Sequence, residues 1–186
     1  MNLFLWGALP YIAFTFLIVG TLVRFFYFER NWTTKSSEFL EKKQLRIANP
    51  LFHFGLLCVI GGHVVGVLVP KTWTAAMGIN DHMYHEGALY MGAVAGIIFI
   101  VGFLLLMKRR FTVPAMKVNT SGFDKWLYLF LTLAIFSGMA GTLLNASGFF
   151  DYRVSIGPWF RSLLSFMPDP SLMEGVPFMF KFHMLA

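Results

Sequence analysis

Two histidines, His53 and His63, stand ten residues apart inside one apolar run, Leu51–Val69. Ionisable side chains at membrane depth are costly, so they are read first as functional groups. Imidazole is a common ligand for haem iron. Ten residues at 1.5 Å rise separate the two backbones by about 15 Å, and ~100° per residue turns them roughly 80° apart. Two stacked cofactors need that arrangement; one shared metal does not.

A bis-imidazole site needs a second ring from a facing helix, as cofactor sites in bundles generally do. The candidates are His82, His85 and His183. His183 is preferred, because its segment enters from the outer side near Val176 and places it close to the depth of His63. The pair His63–His183 then closes an outer haem. His53 requires a partner at least about ten residues further along that segment by the same rise. The sequence stops at Ala186, so the chain reads as a fragment that has lost the second inner ligand. Cys58 is the only cysteine. No internal disulfide and no Cys-x-x-Cys-His attachment is possible, so any haem is held by coordination and packing. Cys58 itself is expected as a small buried residue on the second helix.

The elements that position these rings follow from composition. Apolar residues make up 57% of the chain and mean hydropathy is +0.66. Runs of about twenty apolar residues mark membrane-spanning helices. The expected fold is an all-α integral membrane protein, one domain over 1–186. It is a bundle of five transmembrane helices at about 3–27, 50–69, 87–107, 123–144 and 176–186, the fifth truncated. The first run has no basic leader, is too long and lacks a cleavage site, so it is not a signal peptide. Gly55, Gly61, Gly62 and Gly66 on the second helix, with Gly92 and Gly96 on the third, let backbones or a flat porphyrin approach closely.

The net charge of +6 suggests nucleic acid only until its distribution is read. The first loop carries Arg30, Lys35, Lys42, Lys43 and Arg46. The third carries Lys108, Arg109, Arg110 and Lys117. The second loop has only Lys71, and the fourth Arg153 and Arg161. Short loops rich in Lys and Arg stay in the cytoplasm. The N-terminus is therefore expected outside, in a multi-pass protein of a prokaryotic cell membrane with lipid, not nucleic acid, around it. Arg24, Lys43, Arg109 and Arg110 are candidate partners for inner haem propionates, and Arg153 or Arg161 for outer ones. In the last loop, Pro158 is expected to start a short interfacial helix that Pro168 and Pro170 stop, its apolar face on the membrane surface.

Several motifs fall in one order along the chain: Asn49-Pro-Leu-Phe-His53, Gly61-Gly-His63-x-x-Gly66-x-Leu-x-Pro70, Lys108-Arg-Arg110, Asp151-Tyr-Arg153, Gly157-Pro-Trp-Phe-Arg161 and Phe180-Lys-Phe-His183. Together they resemble the gamma subunit of respiratory membrane-bound nitrate reductase, closest to the forms of Gram-positive bacteria. The resemblance implies a dihaem cytochrome b that anchors the complex. It implies His63 and His183 as ligands of the outer haem b and His53 as one ligand of the inner haem b. It also implies quinol, expected as menaquinol, oxidised near the outer face. The electrons would pass to an iron–sulfur beta subunit and on to a molybdopterin alpha subunit, where nitrate is reduced. Many relatives carry lysine at the start of the third helix, where Glu86 stands here after His82 and His85. The quinol-site candidates are therefore His63, Gly66, His85 and Glu86, with His85 or Glu86 as proton acceptor. The alternatives are a dihaem cytochrome feeding a sulfite- or heterodisulfide-type complex, and a haem-free anchor or metal carrier.

Overall fold

The computed structural model describes residues 2–28 and 40–186. Arg30 and Lys35 of the first basic loop lie outside the described residues. Four helical spans are long and apolar enough to cross a membrane: Phe4–Tyr27, Lys43–Leu68, Asp81–Thr112 and Gly122–Leu144. The first is a π-helical turn, Phe4–Ala8, leading into α1, Leu9–Tyr27. The second is α2, Lys43–His63, extended by a π-helical turn, Val64–Leu68. Then come α3 (Lys71–Ala76), α4 (Asp81–Thr112), α5 (Pro114–Val118) and α6 (Gly122–Leu144). The chain continues through α7 (Ile156–Leu164) and a 3-10 turn, Pro170–Met173, to α8, Phe178–Leu185. Among the described residues there is no strand. The fifth expected crossing is represented by α8, which has eight residues, so the count of five is not established.

The spans run past the apolar stretches that announced them. At 1.5 Å per residue, the 32 residues of α4 extend about 48 Å, well beyond the ~30 Å hydrocarbon core. Hydropathy marks only the part inside lipid. The polar first turn Asp81–Glu86, expected as loop, is helical because Asn80 caps it: its side-chain oxygen accepts from the Met83 amide at 2.8 Å. Likewise α2 starts at Lys43 and carries Pro50 inside it, at the cost of one backbone hydrogen bond. Ser121 and Asp124 form a reciprocal capping box that starts α6.

The central packing is α2 against α4. Gly55 lies on the backbone of Phe99, and Gly102 on the backbone of Phe52. An added Cβ would stand 2.5 Å from Phe99 N in the first case and 2.3 Å from Phe52 N in the second. Small residues thus bring two apolar helices into backbone contact, the main source of association where lipid removes the hydrophobic gain. Phe99, Phe103 and Ile135 bury together beside this seam and tie in α6. Continued one heptad along, the same antiparallel register sets Gly62 level with Gly92, and there the added Cβ of either meets nothing within 4 Å. The seam that is shut at Gly55 has room beside His63. Gly96 instead faces Met139, and Cys58 is exposed on α2 rather than buried.

At the end of the bundle that carries α7, a second core joins Trp6, Ile156, Trp159, Leu163, Met173 and Val176. Trp159 Nε1 donates to the Trp6 carbonyl at 2.8 Å, and Tyr11 Oη donates to the Leu163 carbonyl at 2.9 Å. The short helix therefore begins two residues before Pro158 and buries its apolar face against protein, not only against the membrane surface. It stops at Leu164, ahead of the prolines, where Phe166 takes a positive φ of 58°.

At the opposite end, Arg109 is buried and latches the start of α2. Its Nε donates to Glu41 Oε2 at 2.9 Å and its Nη2 to the Glu41 carbonyl at 2.7 Å. Arg110 Nη2 meets Asp124 Oδ2 at 2.7 Å. Two of the three arginines expected near inner propionates, Arg109 and Arg110, are thus engaged by carboxylates. The Gln44 amide first, then the Arg109 guanidinium, hold the Glu41 carboxyl below the usual carboxylate range. A depressed carboxyl stabilises the fold above its unfolded pKa, and that contribution is lost as pH falls through the folded one. Hydrogen exchange at the Gln44 and Leu45 amides is expected to stay slow at neutral pH. Their protection, taken against the intrinsic exchange rate at each pH, should be lost only below the ordinary glutamate pKa of about 4.3.

Candidate functional site

His63 is the last residue of α2, immediately before the π-helical turn. Such turns recur at functional sites because they change the direction of side chains and free a carbonyl. Here the Val67 carbonyl, inside the turn, accepts from Arg161 Nη1 at 2.7 Å. His183 sits on α8 against α6. The two imidazoles face each other with ring centroids 5.9 Å apart and planes inclined by 43°.

Each ring has its Nδ1 occupied. His63 Nδ1 donates to the Val59 carbonyl at 2.8 Å. His183 Nδ1 lies 3.1 Å from Ser137 Oγ, whose own proton goes to the Ala134 carbonyl at 3.2 Å. That chain makes Nδ1–H the donor and Ser137 the acceptor. Metal-binding histidines typically give their second nitrogen to a carbonyl or hydroxyl in this way, which fixes tautomer and ring direction. It leaves Nε2 of both rings as lone-pair donors. Two metal–imidazole bonds of about 2 Å, with half a ring at each end, call for centroids roughly 6 Å apart. The donor set, its tautomers and the room beside Gly62 and Gly92 all fit an axially coordinated porphyrin.

Two residues of this site carry no sequence signal. Ser137 and Gly138 come from α6, and neither is a metal ligand type with telling spacing. A Cβ on Gly138 would stand 2.8 Å from His183 Cε1, so the absent side chain is what seats the ring. Pairing across α6 and α8 is a tertiary fact that periodicity does not report.

His53 lies on the exposed face of α2, its Nδ1 donating to the Asn49 carbonyl at 2.9 Å. No second imidazole approaches it among the described residues. Among the described residues no group of three or more His, Cys, Asp or Glu converges there.

A polar cavity of about 230 Å³ opens at the α7 end, lined by Asp81, Tyr84, His85, Phe150, Tyr152 and Arg153 among others. Lys71 closes one side, bound to Asp81 at 2.8 Å and Asp151 at 3.1 Å. Those two hydrogen bonds, Asp81 first, push its ammonium above the usual lysine range. Arg153 lies 3.6 Å over the Tyr84 ring and donates to Thr74 Oγ1. Its Nε is buried without an acceptor among the described residues. Burial first, and then the Tyr84 hydroxyl, push the Tyr152 phenol far above its ordinary range, so it stays protonated and serves as a donor. Gly66 is buried against the Tyr152 ring and the Tyr84 hydroxyl. His85 Nε2 donates to the Ala146 carbonyl at 3.2 Å. His85 lines this cavity, whereas Gly66 lies behind its Tyr84 and Tyr152 walls. Glu86 does not line it and instead faces His82 at 3.6 Å on the exposed side of α4.

The family model for the nitrate reductase gamma subunit matches residues 2–186. The chain is 47% identical over 182 residues to the nitrate reductase gamma chain of Bacillus subtilis, covering 97% of this chain and 82% of that protein. It is 38% identical to the nitrate reductase-like protein NarX of Mycobacterium tuberculosis, of which it spans 28%. It is 27% identical to the respiratory nitrate reductase 1 gamma chain of Escherichia coli, over 83% of that chain.

Proposed function

This chain belongs to the nitrate reductase gamma subunit family, the membrane-anchored cytochrome b subunit of a nitrate reductase, and from that premise we propose that it is a dihaem quinol-oxidising electron carrier. His63 and His183 would hold the iron of the outer haem. His53 is one ligand of the inner haem. Haem bound at these positions supplies one-electron transfer between a quinol at the outer face and an iron–sulfur subunit at the inner face. The facing pair of imidazoles, each with Nδ1 engaged, carries this reading.

The α7 end is the outer end, because the basic residues Lys108, Arg109, Arg110 and Lys117 gather at the other. Quinol, with menaquinol the expected form, approaches the pocket between α4 and the loop after α6. Tyr152 and Arg153 offer donors to a quinone oxygen there, and Gly66 lets the Tyr152 ring pack closely on the turn that follows α2. Oxidation of a quinol releases two protons. His85, at the pocket edge, accepts them one after the other and passes each outward. The exposed His82–Glu86 pair continues that route to the surface.

The partners follow from the same assignment: an iron–sulfur beta subunit and a molybdopterin alpha subunit on the inner side. The test is a reduced-minus-oxidised spectrum of membranes holding the assembled complex, with a menaquinol analogue and then dithionite as reductants. A b-type α band is expected with both, and His85→Ala should slow the quinol-driven reduction by roughly 100-fold, within the range lost with a general base, while sparing the dithionite signal. Absence of any b-type band would eliminate the proposal.

A further inference from the structure

The contact between α6 and α8 is built around one imidazole. Ser137 is 6% exposed and reaches His183 Nδ1 at 3.1 Å. Gly138, the next residue, gives the ring its space: a Cβ there would lie 3.3 Å from both ring nitrogens and closer still to Cε1. Gly141, one turn on, faces Met179 and Phe180. Ser137, Gly138 and Gly141 therefore share the α6 face that receives α8. The partner ring is held differently. His63 bonds a carbonyl of its own helix, four residues back, so its orientation is fixed by α2 alone. His183 is fixed from a neighbouring helix.

We infer that Ser137 is a positioning residue that sets the tautomer, the azimuth and the electron-donating strength of His183, and so the reduction potential of the outer haem. The inference rests on the assignment of His183 as an axial ligand. A hydrogen bond accepted from Nδ1–H raises the basicity of Nε2. A more basic axial nitrogen favours ferric over ferrous iron, and outer hydrogen bonding is one of the means by which a protein sets a haem potential. No bond is made or broken and no proton leaves the imidazole. The Ser137 hydroxyl keeps its proton on Ala134 O throughout. With the hydroxyl gone, Nδ1–H keeps only the Ala134 carbonyl, which also bonds the His183 ring, and the ring is free to turn about its Cβ–Cγ bond over Gly138.

The experiment is a redox titration, with low-spin ferric electron paramagnetic resonance, on membranes that hold the full complex. Ser137→Ala is expected to keep both haems and to raise the outer haem's reduction equilibrium by up to about tenfold, the effect of one ordinary hydrogen bond. That is an upward shift of about 59 mV for a one-electron couple. Its ferric resonance should shift as the angle between the ligand planes changes. Ser137→Thr keeps the hydroxyl and is expected to titrate as the wild type does. An unchanged potential and resonance in Ser137→Ala would overturn the inference, as would an equal shift in Ser137→Thr, which would assign the effect to packing. His183→Ala in the same membranes separates the two levels. Loss of the outer haem there, beside an unshifted Ser137→Ala, rejects only the role of Ser137. Retention of both haems in His183→Ala rejects the ligand assignment and the inference with it.

Discussion

His63→Ala is expected to remove the outer haem and to abolish quinol-driven electron transfer, while the inner haem survives. His63 Nδ1 is tied to Val59 O, and its ring faces that of His183. Nothing else on α2 at that level presents a lone pair. Val64 and Val65 follow it, and Gly61 and Gly62 precede it. Losing an outer hydrogen-bond partner of a metal ligand typically costs about 10–100-fold in affinity or activity, and losing the ligand itself should exceed that. His183→Ala is expected to give the same haem count and spectrum, because either change leaves a single imidazole. His53→Ala should do the opposite, since its ring lies about 15 Å along the helix with its own Asn49 contact. Haem extraction with separate redox titration of the two centres distinguishes the variants. A His63→Ala protein that retains both haems would refute the assignment.

The parts of this site that could be read from sequence are those encoded along one helix. His53 and His63 are visible because a ten-residue interval on an apolar run specifies both depth and azimuth. The capping of α6 by Ser121 and Asp124 is similarly local. Helix ends were less legible, because hydropathy falls where lipid ends and not where the backbone stops being helical. Hence Lys43–Asn49 and Asp81–Glu86 were expected as loop and are helix. The glycines were legible as a class but not in detail. Gly55 meets the α4 backbone, Gly96 meets Met139, and Gly61, Gly62 and Gly92 meet nothing within 4 Å, a difference set by the neighbouring helix. Cys58 went wrong for a related reason: small apolar residues in a bilayer are as well placed facing lipid as facing protein. The seat of His183 was invisible. Ser137 and Gly138 acquire their roles only from the packing of α8 against α6, 46 residues on for Ser137. The basic residues illustrate a last limit. Arg109 and Arg161 could be placed at opposite ends of the bundle, yet Glu41 and the Val67 carbonyl claim them, and neither pairing is written in the spacing.

Gly102→Ala is expected to be among the most damaging substitutions that touch neither histidine. Its new Cβ would stand 2.3 Å from Phe52 N, 2.6 Å from Phe52 Cα and 2.8 Å from Leu51 C. All three are backbone atoms, so no rotamer change relieves the clash. The helices must move apart or slide, and each route opens the contact at Gly55, where Phe99 N is 2.5 Å from the corresponding Cβ position. Overpacking a core with one methyl costs about 1–3 kcal/mol when side chains can yield, so a backbone collision belongs at or beyond the upper end. The displacement falls directly on the ligand-bearing helix, because Phe52 adjoins His53. Inner haem binding is therefore expected to weaken along with stability, although Gly102 approaches no ligand. Gly20→Ala on α1 is the control: its Cβ meets nothing within 4 Å, and the higher helix propensity of alanine favours it by up to about 1 kcal/mol. Thermal unfolding in detergent, followed by haem absorbance and by far-ultraviolet circular dichroism, separates the two effects. If Gly102→Ala melted with the wild type and bound its full haem, the close seam between α2 and α4 could not be what holds the second helix in register.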